Sequence, residues 1–193
     1  MASAPTQNRA QIKQVVVTAF FAAMIFLGIQ SFRTPLPAAV GTPFVHFGHI
    51  FIVLAVVCLD IKGATAAGVL GLILFDVING YTHAIPNVLV STILNCVLSG
   101  LVYAGLKKKA AGVSKKEYRA GVMAAAVYGV SNVVIDFVWS TCQLVIVGSS
   151  RPAALAAEVT AIPATIINSV FTVIGISLLY VPVKGAYKRV LGA

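Results

Sequence analysis

Residues 120–147 read AGVMAAAVYGVSNVVIDFVWSTCQLVIV, a stretch in which Asp136 is the only charged side chain. A segment this long and apolar reads as a bilayer-spanning helix, since about 20 such residues cross a hydrocarbon core of ~30 Å. The polar residues within it are ordered. Tyr128, Asn132, Asp136, Trp139 and Gln143 follow at intervals of four, four, three and four, which sets all five on one helical face. Polar side chains inside a membrane are costly and face a protein interior or a water-filled cavity. An acid, two amides and two aromatics on one stripe therefore suggest a recognition surface for a polar ring compound.

Working outward, five more apolar segments stand at about 14–30, 47–60, 62–78, 86–106 and 162–183, bounded by charges or by Gly, Pro and Asn. The second and third are short and meet at the corner Asp60-Ile61-Lys62-Gly63, which predicts a tight helical hairpin. The whole composition agrees. Of 193 residues, 59% are apolar and 10% charged, with a mean hydropathy of +0.97, against roughly 45–50% and ~25% in soluble domains. Six spans leave only termini and short loops, so the expectation is an all-α integral membrane protein in which residues 1–193 form a single six-helix membrane domain. No separate soluble catalytic or nucleotide-binding domain fits in the remainder. The polar segment 1–13 leads into the first apolar run without an Ala-x-Ala cleavage pattern, and that run reads as a retained span.

A net charge of +9 in a soluble protein would point to nucleic acid. Its placement points elsewhere. With the N-terminus inside, the inner segments hold Arg9, Lys13, Lys62, Lys107, Lys108, Lys109, Lys115, Lys116, Arg119, Lys184, Lys188 and Arg189, and the outer loops hold only Arg33 and Arg151. Positive loops stay cytoplasmic, so the pattern predicts six spans with both termini inside. The clusters 107–109 and 115–119 read as a solvated loop, with anionic headgroups or an acidic partner as the alternative. Outside, the Pro-rich connection 32–44 and the connection 148–161, with Arg151, Pro152 and Glu158, are expected as structured lids.

The fourth span carries Asn87, Ser91, Asn95 and Ser99 at intervals of four, and the sixth carries Thr165, Asn168 and Thr172. These are either interhelical hydrogen-bonding groups or ligand contacts. Asp136 is the harder case: a lone carboxylate at mid-bilayer costs at least ~2.5 kcal/mol, and no intramembrane cation pairs with it. It must be protonated, hydrated, or bonded to amides and a ligand. The stripes together predict a cavity open to the outside and walled by the fourth, fifth and sixth helices. His46, His49 and His83 cluster near its mouth. They read as hydrogen-bonding groups rather than a metal site, because no zinc motif accompanies them. Asp76, followed by Asn79, Gly80 and Tyr81, reads first as a loop-fixing cap and second as a ligand contact. Cys58, Cys96 and Cys142 lie in apolar segments without CxxC spacing and read as packed thiols. The small residues of helix three (Gly63, Ala64, Gly68, Gly71) read as packing, and Ala19 with Ala23 on helix one are available to a second membrane protein.

Phe44-Val45-His46-Phe47-Gly48-His49, then Gly63, Gly68 and Gly71, Asp76, Gly80-Tyr81 and Pro86, resemble the substrate-binding S-components of energy-coupling factor (ECF) vitamin transporters, in the riboflavin-transporter-like branch. Ala19-x-x-x-Ala23 is similar to that family's small-residue motif. His49 departs from it, standing where an acidic residue is expected. The resemblance implies an S-component-like bundle in a prokaryotic cell membrane that captures a small water-soluble vitamin from outside. It also implies docking, through Ala19 and Ala23, on one transmembrane coupling subunit and two ATPases. The chain itself has no P-loop and is not expected to be an enzyme. The residues expected to bind substrate are His46, His49, Tyr81, His83, Asn87, Ser91, Asn95, Tyr128, Asn132, Asp136, Trp139, Gln143 and Asn168, with no metal and no cofactor. A site taken to be small, with few aromatics and several amides, puts vitamin B6 or a related pyridine or pyrimidine first and riboflavin second. The alternative is a self-sufficient proton-coupled carrier or channel; an intramembrane enzyme lacks a Ser/His, paired-carboxylate or HExxH set.

Overall fold

The computed structural model describes residues 4–107 and 115–191. Lys108, Lys109 and the side chain of Arg9 lie outside the described residues. Six helices account for nearly all of it: α1 (Ala4–Gln30), α2 (Gly48–Cys58), α3 (Ile61–Asn79), α4 (Ile85–Lys107), α5 (Lys115–Ile146) and α6 (Arg151–Leu191). Five of them are long and apolar enough to cross a membrane, and α2 is not. Their outward faces are apolar. On α5, for instance, Val130, Val134 and Val138 are exposed on the side opposite Tyr128 and Asn132, which are buried. A helix with an apolar exterior and polar groups turned inward suits lipid, not water.

The second segment departs from a simple span. At 11 residues, α2 is only ~16 Å long, about half a hydrocarbon core. Nine of those residues are buried, so the helix sits at the centre of the bundle, packed against each of the others. The missing length is supplied by extended chain. Two short strands, β1 (Thr34–Pro35) and β2 (Phe44–Val45), pair antiparallel and bring residues 44–47 down onto α2. Non-helical backbone at this depth must find partners inside the protein, and it does. The Phe47 N–H donates to the Gly28 carbonyl at 3.1 Å, and the His46 N–H donates to the Asn168 side chain.

The α2–α3 corner forms as expected. The Asp60 side chain accepts from the Gly63 N–H at 2.7 Å and caps α3. Gly80, at φ +79, ends that helix in the left-handed conformation which glycine adopts without penalty. Small residues let α3 lie close to α1: a Cβ at Gly71 would stand 2.6 Å from the Ala22 carbonyl oxygen. The connection expected at 148–161 is a correction. Only four residues separate α5 from α6, and residues 151–161 are helical. Pro163 inside an apolar run signals a helix boundary, but the alanine-rich stretch before it favours helix, and Pro152 is tolerated in a first turn.

At the end of the bundle beyond the α2–α3 corner, polar side chains fill the space beneath α2. Lys184 is 3% exposed and Glu117 2%. The Lys184 amine donates to the carbonyl of Val57, in the last turn of α2, and lies over the rings of Tyr103 and Tyr187. A cation there meets the negative end of the helix dipole. The Tyr103 and Tyr180 hydroxyls are 3.0 Å apart, Tyr103 also donates to Glu117, and Lys188 lies 3.6 Å from Glu117. Lys184, counted in the sequence among the cations of the inner segments, is thus buried in the bundle.

Candidate functional site

The pole of the bundle away from this plug holds a cavity of about 710 Å³. Its walls come from residues 40–44, from the residues entering α2, and from α3, α4, α5 and α6. The connection between β1 and β2 is fastened at its rim, where the Ala39 N–H donates to Thr160 on α6 at 2.8 Å, and just before β1 Arg33 donates to Asn79 at 2.9 Å. Asn79 in turn donates to Gln30 at 2.8 Å, tying the ends of α3 and α1 together.

Eleven of the thirteen expected residues reach this cavity: His46, His49, Tyr81, His83, Asn87, Ser91, Tyr128, Asn132, Asp136, Gln143 and Asn168. The polar stripes of α4 and α5 meet along one side of it. Asn87 donates to one oxygen of Asp136 at 2.9 Å, and Thr165 on α6 donates to the other at 3.3 Å. Asp136 is thus bonded to neighbouring side chains, one of the states the sequence allowed. Deeper, Asn95 donates to Asn132 at 3.0 Å.

Asn95 and Trp139 are not in the wall. Asn95 is 0% exposed and lies behind Asn132, accepting a hydrogen bond from Ser131. Trp139 sits off the cavity with its indole N–H buried and without a hydrogen-bond partner. At about 100° per residue, positions three and four beyond Asp136 fall on opposite flanks of the stripe, and the cavity opens on the flank of Ser140. Asn168 reaches the cavity, but its amide is occupied. Its nitrogen donates to the Phe44 carbonyl at 2.7 Å and its oxygen accepts the His46 N–H at 2.8 Å, so the side chain serves as a strand partner for β2. Ser91, Ser99 and Thr172 return their hydroxyls to carbonyls four residues back.

Other cavity residues escaped the sequence reading. Phe44 and Phe75 join Tyr81 in a cluster, with ring centroids 5.5–6.3 Å apart and Phe75 stacked on Tyr81. His46 and His49 pack edge to face at 4.7 Å, and His49 lies 5.5 Å from Tyr128. Asp76 is another correction to the expected cap. Its backbone carbonyl, not its carboxylate, receives the Gly80 and Tyr81 N–H groups. The carboxylate faces the cavity, 5% exposed, with Oδ2 unpartnered. Glu158 lines the same space from a turn of α6, where the sequence predicts a loop. Among the described residues no group of three metal-ligating side chains is assembled.

Fold and site together define a multi-pass helical membrane protein with a deep, partly aromatic cavity at one pole. The family model of the ECF-type riboflavin transporter, S component, matches residues 9–186, and the chain belongs to that family. It is thus a substrate-binding membrane subunit of an ECF transporter, a transport component that works with an ECF module rather than an enzyme. No curated protein and no solved structure matches it.

Proposed function

We propose that the protein crosses a prokaryotic cell membrane six times with both termini in the cytoplasm. On this reading the single membrane domain of residues 1–193 captures a water-soluble vitamin in its outer cavity, and riboflavin is the first candidate. The observation that carries the reading is a built cavity at the pole away from the cation-rich ends, in a chain of this family. Its volume lies within the ~300–1,000 Å³ of sites that enclose whole small-molecule ligands, which removes the argument from a small site. Phe44, Phe75, Tyr81 and Tyr128 offer faces and edges for a fused ring, and Asn87, Asn132 and Gln143 offer hydrogen bonds. Vitamin B6 is the second reading, favoured by the share of amides and hydroxyls in the wall.

Ligand contacts are assigned to His46, His49, Tyr81, His83, Asn87, Ser91, Tyr128, Asn132, Asp136 and Gln143, with Asn95 and Asn168 holding that wall in place. Energy would come from a coupling subunit and two ATPases docked at Ala19 and Ala23. A proton-coupled carrier gains little support, since Asp136 is engaged by Asn87 and Thr165. The test is native mass spectrometry of the gently purified protein, followed by titration with riboflavin and pyridoxine. Co-purified flavin, or tight saturable riboflavin binding, is expected. Binding of pyridoxine alone would move the assignment to B6, and uptake by proteoliposomes lacking any ATPase would overturn the S-component mechanism.

A further inference from the structure

We infer that the cavity selects by charge: it takes neutral or cationic molecules that donate hydrogen bonds and refuses phosphate esters. The protein has five acidic residues and fourteen Lys and Arg. Three of the five acids, Asp76 from α3, Asp136 from α5 and Glu158 from α6, line this one cavity, and no Lys or Arg among the described residues does. A chain of net charge +9 thus gathers most of its carboxyl groups on this one wall.

The carboxylate and amide oxygens left open favour donors. Three atoms of wall residues are buried without a partner: Asp76 Oδ2, Asn87 Oδ1 and His49 Nδ1. The two oxygens are acceptors, whereas the imidazole nitrogen serves as either by tautomer. Buried polar atoms in native proteins are nearly always paired, so the missing partners of the two oxygens are donors on the ligand. Asp136 offers no donor, because both its oxygens are engaged as acceptors by Asn87 and Thr165. The remaining ionisable groups on the wall are His46, His49 and His83, together with the phenols of Tyr81 and Tyr128. Arg33 lies outside the wall, bonded to Asn79 and placed over the rings of Phe44 and Phe75. A phosphate monoester, at about −1.5 to −2 charge near pH 7, would enter this space without a cation to meet it.

The choice of test ligand rests on the vitamin reading above, whereas the charge selection is read independently. With Cys142→Ser removing the exposed thiol, Ser140→Cys places a reporter on the cavity wall. Its rates with the cationic trimethylammonium-ethyl and the anionic sulfonato-ethyl methanethiosulfonates are measured relative to a free thiol. The cationic reagent is expected to react at least tenfold faster, with the bias shrinking toward one in Asp76→Asn/Asp136→Asn/Glu158→Gln. Equal rates, or a preference for the anion, would overturn the inference even if that triple variant failed to fold. In parallel, riboflavin is expected to bind the unmodified protein at least a hundredfold more tightly than riboflavin 5′-phosphate; equal binding also overturns it. A cationic bias without binding of either flavin would remove the riboflavin assignment and leave charge selection standing.

Discussion

Asn168 shows how a residue's chemistry is set by what lies opposite it. In the sequence it is one more amide in a span, on equal terms with Asn132 and Gln143. In the structure it bonds the backbone on both sides of Val45, so its replacement acts on the hairpin first. Asn168→Leu should leave two buried backbone groups without partners, at ~1–3 kcal/mol each. A clear drop in thermal midpoint in detergent is expected, with weaker vitamin binding as the secondary effect. Asp136 is the contrasting case, a carboxylate in the wall itself. Asp136→Asn is expected to weaken riboflavin binding tenfold or more, a difference of about 1.4 kcal/mol, in an equilibrium titration. Trp139→Phe should change that affinity less than threefold, because the indole lies outside the cavity; a larger loss would return Trp139 to the site. The stripe from Tyr128 to Gln143 was legible because helical periodicity carries it. The side of the stripe on which the cavity opens was not, since that depends on how α4 and α6 pack around α5.

At the scale of elements, α1 divides its surface. Phe21, Ile25 and Ile29 are buried, whereas Ile12, Val15, Val16, Phe20 and Leu27 are exposed on the same side as Ala19 and Ala23. An exposed strip with two alanines at its middle allows close approach by another helix. Ala19→Leu with Ala23→Leu is expected to abolish ATP-driven vitamin uptake in cells while the purified subunit keeps its affinity within twofold. Loss of binding in the double variant would instead make these alanines part of the fold. Long apolar helices such as α4 and α5 were readable from hydropathy to within a few residues, and so was the Asp60 corner. The start of α6 was not, because Pro163 resembles a boundary in sequence and is absorbed by a helix whose neighbours hold it. The β1–β2 hairpin left no periodic signal at all; its two-residue strands exist through Asn168 and Gly28.

As a whole, the molecule is closed at one pole and hollow at the other. Lys184 and Glu117 stopper the bundle beneath α2, and the acids of the cavity sit above it. Lys184→Met would leave the Val57 carbonyl unpaired and Glu117 with less compensating charge. Thermal stability should fall, by about 1–3 kcal/mol, while riboflavin affinity at the far pole stays within threefold. A parallel loss of affinity would mean that the two poles are coupled through α2. The gathering of three acids into one cavity could not be read from hydropathy, since Glu158 lay in an expected loop and Asp76 in an expected cap.

The shortness of α2 also bears on how such a chain enters a bilayer. Eleven residues fall well below the length a membrane accepts as an independent span, and the extended residues before them expose backbone that lipid cannot satisfy. The segment is therefore a poor candidate for insertion in its turn as the chain emerges. It would enter paired with α3 through the Asp60 corner, and residues 44–47 would settle only after α6 delivers Asn168. Assembly of the cavity would then wait for α6, leaving the mouth of the site unformed until that helix is in place.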